Sequence, residues 1–453
     1  MSHLDQWTGR VARNAVRALA RVYYRRIEVI GREKIPVSGP VLLCANHPNS
    51  LMDAVILGLV ARRPVHFLAK APLFDVPLFG SVLRALGMLP AYRGQDDRSQ
   101  VSANMQTLAD AAGWLARGDG VGIFPEGKSH DAARVEQVRT GAARIAMQAA
   151  QGGCRGLLVA PVGINYERKE RFRSVIWVCV GDPMDADAWL AQHGGEERRA
   201  MRTMTGELDR RLKAVAVHIE AAKWEPFLED LELLAPAEDG EISDSMACLR
   251  RRKRIADAMN YFLATDKVTA EDIAAQIQAH RERLSSAGIT MDTPALRARG
   301  EGWSAKRVRE LVGLLVWLAP ALAGTVHHLL PFLLTRAVAG RLQYPGRTTI
   351  SHTRLLVGLP IYALWYAGVA LWMTGHCGAW PAVIWLLTMP AAGVVALNYG
   401  SWFCAVGRRW VSEMDLRSRP NELARLQFEH EQLRNRLGEL SKAYRQSLPL
   451  FPS

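Results

Sequence analysis

Val41-Leu42-Leu43-Cys44-Ala45-Asn46-His47-Pro48-Asn49-Ser50-Leu51-Met52-Asp53 passes from an apolar run into a polar turn and on into a second apolar segment. An uncharged β-rich run closed by turn residues reads as a strand buried on both faces. The pattern recurs along the chain. Ile27–Ile30, Val65–Ala69, Gly122–Phe124, Leu157–Ile164 and Val175–Val180 are further short apolar runs with helical stretches between them. Residues 27–222 are therefore expected to form an α/β domain, a mixed and largely buried sheet flanked by helices.

His47 follows the quoted strand Val41–Cys44, and five residues separate it from Asp53. A His at a strand end with a carboxylate one or two turns away is how a general base is presented, because the carboxylate fixes the tautomer and balances the imidazolium. Such a pair activates a hydroxyl. Read alone, the same two residues also fit a helix-capping Asp beside a structural His. No G-x-S-x-G elbow accompanies them, which favours direct attack by a substrate alcohol over a covalent acyl-enzyme.

Three more segments carry polar chemistry. Gly87-Met88-Leu89-Pro90-Ala91-Tyr92-Arg93-Gly94 ends in an Arg beside Gly, and Arg suits bidentate contact with phosphate. Val121-Gly122-Ile123-Phe124-Pro125-Glu126-Gly127-Lys128-Ser129-His130-Asp131 runs a strand into a turn whose backbone N–H groups, beside Lys128 and Ser129, can hold anionic oxygens. Val159-Ala160-Pro161-Val162-Gly163-Ile164 is an apolar strand interrupted by Pro161, which is expected at a sheet edge or bulge.

In this order the four motifs resemble the glycerolipid acyltransferase family, which includes the 1-acylglycerol-3-phosphate and glycerol-3-phosphate acyltransferases. The motifs cover roughly residues 40–165 and the wider likeness extends to about 220. Two departures stand out: five residues rather than four separate His47 from Asp53, and Phe124-Pro125-Glu126-Gly127 is followed by Lys128-Ser129-His130 where the family has Thr-Arg-Ser. Both are similar to the fungal-type branch of glycerol-3-phosphate and dihydroxyacetone-phosphate acyltransferases. The resemblance implies that His47 is the base and Asp53 its orienting partner. It also implies that Arg93 and Gly94 meet the acceptor phosphate, that Glu126, Gly127, Lys128 and Ser129 shape the acceptor site, and that Pro161 helps form the acyl-donor side. The extra residue is absorbed if the helix starts one position later or the turn is wider. The implied reaction moves an acyl group from acyl-CoA or acyl carrier protein to glycerol-3-phosphate. A lysophospholipid acceptor is the nearest alternative, and an inactive lipid-binding scaffold the alternative from another class. No metal and no further cofactor is expected.

Lys and Arg outnumber Asp and Glu by 57 to 44, a net charge of +13 over 453 residues, so the chain should favour anionic surfaces. Nucleic acid is not expected, since no recognition motif is present and the apolar segments would go unexplained. The near-zero mean hydropathy of −0.03 hides a polar first two-thirds and an apolar last third. Residues 311–334 and 355–407 contain no Asp, Glu, Lys or Arg. The second run is long enough for two spans of roughly 20 residues each.

The expected organisation is as follows. Residues 1–26, with six Arg and with Trp7, Val11, Ala15, Leu19 and Val22 at helical spacing, form a basic amphipathic helix on a membrane surface or, failing that, one packed on the domain. Met201–Leu234 and Asp244–Ala287 read as helices, and residues 223–305 form a helical accessory segment with no chemical motif. Residues 306–410 form a membrane domain, 311–334 re-entrant or spanning, with 355–373 and 380–404 as a spanning hairpin; basic clusters around Arg309, Arg341 and Arg409 place the hairpin's flanks on one side. Residues 411–453 form an amphipathic helix whose Leu423, Leu426, Leu433, Leu437, Leu440 and Tyr444 stripe fits packing on the domain, lipid, or a homodimer zipper. Six cysteines without a C-x-x-C pair, and no secretory signal, point to a reducing cytoplasmic catalytic face, on a bacterial inner membrane rather than the endoplasmic reticulum.

Overall fold

The structure is a computed structural model that describes residues 3–75, 79–91, 101–193, 195–235, 245–296, 303–342 and 348–447. The chain forms two compact units, the first being Met1–Glu225, Asp244–Ala256 and Tyr344–His352, the second Pro226–Ser243, Asp257–Gln343 and Thr353–Ser453.

In the first unit α1 (His3–Tyr23) leads to β1 (Arg26–Ile30), β2 (Val41–Ala45), α2 (Leu51–Val60), β3 (Val65–Lys70), α3 (Phe79–Ala85) and β4 (Leu89–Ala91). There follow α4 (Val101–Ala116), β5 (Gly120–Ile123), α5 (Gly141–Gln151), β6 (Leu158–Tyr166), β7 (Val175–Val180), β8 (Met184–Asp185), α6 (Ala186–His193) and α7 (Glu197–Val215). The strands make one mixed sheet in the order β1-β7-β6-β2-β5-β3-β4, with β8 also on β6. Strands β6, β2, β5, β3 and β4 are parallel; β7 and β8 join β6 antiparallel, and β1 is parallel to β7.

All five residues of β2 are buried, which is why its sequence reads as a continuous apolar run rather than an alternating one. Leu42 and Cys44 pack in one core with Val121, Val159, Leu115 of α4 and Ile145 of α5. Because β5, β2 and β6 are neighbours running the same way, their C-terminal ends lie together along one edge of the sheet, the usual place for a ligand site in a parallel α/β sheet.

Helix α1 packs on the first unit through Ala20 and Tyr23, and a Cβ on Gly9 would stand 2.7 Å from the Ala85 carbonyl oxygen. Val11 and Val22, on the face expected to be apolar, are exposed.

Pro161 is not at an edge. It lies within β6, between β2 and the antiparallel partners. The strand tolerates it because β8 pairs only with Leu158 and Val159 and β7 starts at Val162, so Pro161 falls where β6 changes partner and no ladder N–H is required. Its carbonyl accepts from Gly181 N at 2.9 Å. The helix expected over Met201–Leu234 is also two: α7 ends at Val215 and α8 (Glu225–Leu234) starts later. Between them Val217 N donates to Asn165 Oδ1 (2.8 Å) and Ile219 N to the Ala133 carbonyl (3.2 Å), bonds that draw the backbone out of the helix.

Likewise Asp244–Ala287 divides into α9 (Ser245–Thr265) and α10 (Lys267–Ser286), because Asp266 caps α10 by accepting from Thr269 N. In the second unit three helices follow, α11 (Trp303–Leu342), α12 (Ile350–Cys377, whose first residues belong to the first unit) and α13 (Ala379–Arg417). Val308–Leu342, Ile350–Cys377 and Ala379–Ser412 are each long and apolar enough to cross a bilayer. The re-entrant form of 311–334 is replaced by one continuous helix. Pro320 and Pro331 each cost a backbone hydrogen bond, yet the surrounding apolar residues keep the helix unbroken. Helices α11 and α13 approach closely where a Cβ on Gly324 would meet the Ala392 carbonyl oxygen at 2.1 Å, and Tyr399 donates to the Leu314 carbonyl at 2.9 Å.

The last helix, α14 (Pro420–Ser447), buries Leu426, His430, Leu433 and Leu437. His430 Nδ1 lies 3.3 Å from His280 Nε2 of α10, and Glu429 accepts from Arg283 Nε at 2.8 Å. Of the expected stripe, Leu426, Leu433 and Leu437 are buried within this unit, where α14 packs on α10, and Leu423, Leu440 and Tyr444 are half-buried.

Candidate active site

The turn after β2 carries His47 and the first turn of α2 carries Asp53. His47 Nδ1 donates to Asp53 Oδ2 at 2.9 Å. The fifth intervening residue is taken up at Ser50, which caps α2 with φ 48° and lets the helix begin at Leu51. That left-handed backbone is uncommon for a residue with a Cβ and costs on the order of 1 kcal/mol. Asp53 is fully buried and accepts two further bonds, from Asn49 N (2.7 Å) and from the Tyr166 hydroxyl (2.7 Å). A buried carboxylate with three donors has a fixed orientation. His47 stacks on Phe124 with ring centroids 4.1 Å apart, so both its plane and its Nδ1 direction are set. Its Nε2 is the nitrogen left for a proton from outside.

Glu126, expected to help shape the acceptor site, is held on the turn after β5. Its side chain is buried, one oxygen accepting from His47 N (2.9 Å) and His130 Nε2 (2.9 Å), the other from Glu136 N (3.2 Å). The carboxylate is spent on backbone and imidazole donors, because a buried charge must be paired. Gly127 adopts φ 76°, a turn geometry suited to glycine, and donates to the Phe124 carbonyl at 3.0 Å. Lys128 is exposed and Ser129 half-buried on the same turn. Pro161 is buried in β6, inside the sheet. Arg93 and Gly94 lie outside the described residues.

Four supports were not identified from sequence. Asn46 clamps the turn to β6, its side chain donating to the Ile164 carbonyl (3.1 Å) and accepting from Ile164 N (2.7 Å). His130, inside a quoted motif but given no role, holds Glu126. Tyr166, at the end of β6, holds Asp53; burial, and then Asp53, push its phenol well above the ordinary range, so it stays a donor. Lys169 donates to the Pro48 carbonyl (3.0 Å) and the His130 carbonyl (3.1 Å) and pairs with Asp131 (2.9 Å), tying the two motif turns together. Ser351 donates to the Lys169 carbonyl. The only sequence signal for Tyr166 and Lys169 is polarity just past an apolar strand.

Residues 26–165 match the family model described as Acyltransferase, about a third of the chain. The chain is 31% identical to the lyso-ornithine lipid O-acyltransferase of Brucella abortus (strain 2308) over 167 residues, 36% of this chain and 57% of that protein. It is 31% identical to glycerol-3-phosphate O-acyltransferase 1 of Saccharomyces cerevisiae over 112 residues, 23% of this chain and 14% of that one. It therefore spans little more than half of the first relative's length and far less of the second's. The crystal structure of the 1-acyl-sn-glycerophosphate acyltransferase PlsC from Thermotoga maritima is similar over 47% of this chain and 83% of that one, with 20% identity and a TM-score of 0.35.

Proposed function

We propose that this chain, whose residues 26–165 carry the acyltransferase-family match, transfers a fatty acyl group from an acyl thioester to a hydroxyl of glycerol-3-phosphate or dihydroxyacetone phosphate. The observation that carries the reading is the buried Asp53 holding the His47 Nδ1–H, which leaves Nε2 free to act as base. His47 Nε2 takes the hydroxyl proton as the oxygen attacks the thioester carbonyl. The new C–O bond forms, the C–S bond breaks, and the proton passes from His47 to the departing thiolate. Asp53 holds the imidazolium between these steps. The thioester is already activated, so the reaction as written needs no metal and no cofactor beyond the CoA or carrier-protein donor.

Arg93, with Gly94 and Lys128, is assigned to the acceptor phosphate, Gly127 and Ser129 to the walls of the acceptor site, and Pro161 to the donor side. These assignments rest on motif order. Glu126 acts through His47. We place the protein as a multi-pass membrane protein with its catalytic unit on the cytoplasmic face of a bacterial inner membrane; the three apolar helices and the partition of acyl products into lipid support this. A second reading, acylation of a lysolipid, is favoured by the name of the Brucella relative. The intact His47–Asp53 pair speaks against an inactive scaffold.

The test is acyl transfer by the full-length protein in detergent, from palmitoyl-CoA and from palmitoyl carrier protein, to glycerol-3-phosphate, dihydroxyacetone phosphate and lysophosphatidic acid. Transfer to either small phosphate, lost in His47→Ala, is expected. Preference for lysophosphatidic acid would install the second reading, and no transfer from either donor would reject both.

A further inference from the structure

Six arginines of the first unit converge on one cavity of about 450 Å³: Arg17 and Arg21 of α1, Arg25 and Arg26 at the entry to β1, Arg32 just after β1, and Arg62 just after α2. No carboxylate is among the described residues that line it, while Glu28 pairs with Arg26 at 3.2 Å. The volume is in the range of a small-molecule site, and the pocket is open to solvent on the side where Arg21, Arg25, Arg26 and Arg62 are exposed. With Arg26 so paired, mutual repulsion of the other five guanidinium groups disfavours their convergence unless an anion offsets it. Burial, with the charges of Arg62 and Arg21 next, lowers the Arg32 pKa, and Arg32 Nε is buried without a hydrogen-bond partner among the described residues.

Arg62 adds an independent observation. It follows the Ala61 cap of α2 with φ 57°, the position after a helix end that glycine usually fills. Its neighbour Arg63 is explained structurally, since its guanidinium donates to the Pro36, Gly39 and Gly118 carbonyls at 3.2, 2.8 and 2.9 Å. Among the described residues Arg62 has no such bond: it is exposed, lines the cavity, and sits in a strained backbone. Tyr24 connects the cavity to the His47–Asp53 pair. It lines the cavity, its hydroxyl accepts from Asn49 Nδ2 at 3.3 Å, and its ring lies 5.9 Å from that of Tyr166, which holds Asp53.

We propose that this six-arginine cavity is a binding site for phosphate groups of a multiply charged anion, distinct from the acceptor site of the proposed reaction. Planar guanidinium forks match phosphate oxygens in pairs, and even the five besides Arg26 exceed what one phosphate monoester can neutralise. Two sources carry that chemistry: the phosphates of a CoA donor, an assignment that rests on the acyl-transfer reading, and anionic lipid headgroups, which do not depend on it.

The test is calorimetric titration of the full-length protein in nonionic detergent with adenosine 3′,5′-bisphosphate and, separately, with dihexanoyl-phosphatidylglycerol. The variants are Arg32→Gln and Arg62→Gly. Glycine suits the backbone at position 62, so this variant should melt at the same or a higher temperature while losing affinity. We expect at least one probe to bind, and to bind at least tenfold more weakly in both variants. Binding of the bisphosphate identifies the donor as the source, and binding of the lipid identifies the headgroup. The site is refuted if neither probe binds, or if both variants bind like the parent protein. Acyl transfer is not the readout, so failure here is separate from failure of the proposed reaction.

Discussion

Glu126 Oε2 stands 2.9 Å from His47 N, so the carboxylate of the third motif holds the main chain of the residue proposed as base. The same oxygen receives His130 Nε2, and the other receives Glu136 N. The motif turn after β5 and the motif turn after β2 are thereby one hydrogen-bonded object, closed further by His130 N donating to the His47 carbonyl at 3.2 Å. This placement predicts that Glu126 affects the chemistry through the position of His47.

Glu126→Ala should therefore lower kcat far more than it raises the acceptor KM. Two part-buried backbone N–H groups, of His47 and Glu136, lose their acceptor, at about 1–3 kcal/mol in stability. Displacement of His47 should lower kcat at least tenfold, the equivalent of about 1.4 kcal/mol in the barrier. Steady-state kinetics over a range of glycerol-3-phosphate, with a urea melt alongside, reads both quantities. A large rise in KM at unchanged kcat would show that Glu126 meets the acceptor after all.

Tyr166 supplies a charge-assisted hydrogen bond to Asp53, of a kind that contributes about 1.5–3 kcal/mol. In Tyr166→Phe the carboxylate loses one of three donors and holds its negative charge less comfortably. The His47 ring it orients is then held less firmly, so kcat should fall about tenfold while the acceptor KM changes little. A purely structural tyrosine would lower the melting temperature and leave kcat of the folded enzyme where it is. Steady-state kinetics of the variant, with a thermal melt alongside, decides between them.

What sequence reveals and what it hides follows from distance along the chain. Both-face burial wrote β2 as an unbroken apolar run, and His47 and Asp53 are only six positions apart, so the pair and its strand were legible together. The Asp53–Tyr166 bond spans 113 residues and the Lys169–Pro48 bond 121. Those contacts exist because β6 lies beside β2, a neighbour relation that no local pattern encodes. Pro161 misled for the same reason: whether proline interrupts a ladder depends on which strand faces it, and here β6 changes partner at that point.

Gly163 tests how closely α7 rests on β6. A Cβ there would lie 2.2 Å from the Val215 carbonyl oxygen and 2.8 Å from Ala216 N, main-chain atoms that cannot swing aside. Gly163→Ala should push the end of α7 off the sheet, strain the Asn165–Val217 bond two residues on, and cost about 1–3 kcal/mol, as overpacking does. Gly206, with nothing near its missing Cβ, is the control: Gly206→Ala in the middle of α7 should be neutral or stabilising by up to about 1 kcal/mol. Equal urea midpoints for the two variants would contradict this packing.

His218 sets a pH dependence of stability. Burial lowers its pKa below the ordinary 6.5, and the nearby Glu220 carboxylate offsets this only in part. The neutral ring is also required by its contact, because Val135 N donates to His218 Nδ1 at 2.9 Å and a protonated imidazole has no acceptor there. Below pH 6.5 the unfolded chain takes up this proton and the fold resists it. The contribution is therefore complete above the unfolded value and is lost as pH falls toward and through the folded value. His66, buried by Gly87, is shifted in the same direction, so the parent curve alone does not isolate the effect. His218→Asn removes the titration and keeps a side-chain acceptor. Its stability deficit against the parent, measured by urea melts from pH 7.5 down to pH 5.5, should shrink as the buffer becomes more acidic. Parallel curves across that range would mean that the His218 proton plays no part in holding residues 133–135 against residues 216–219.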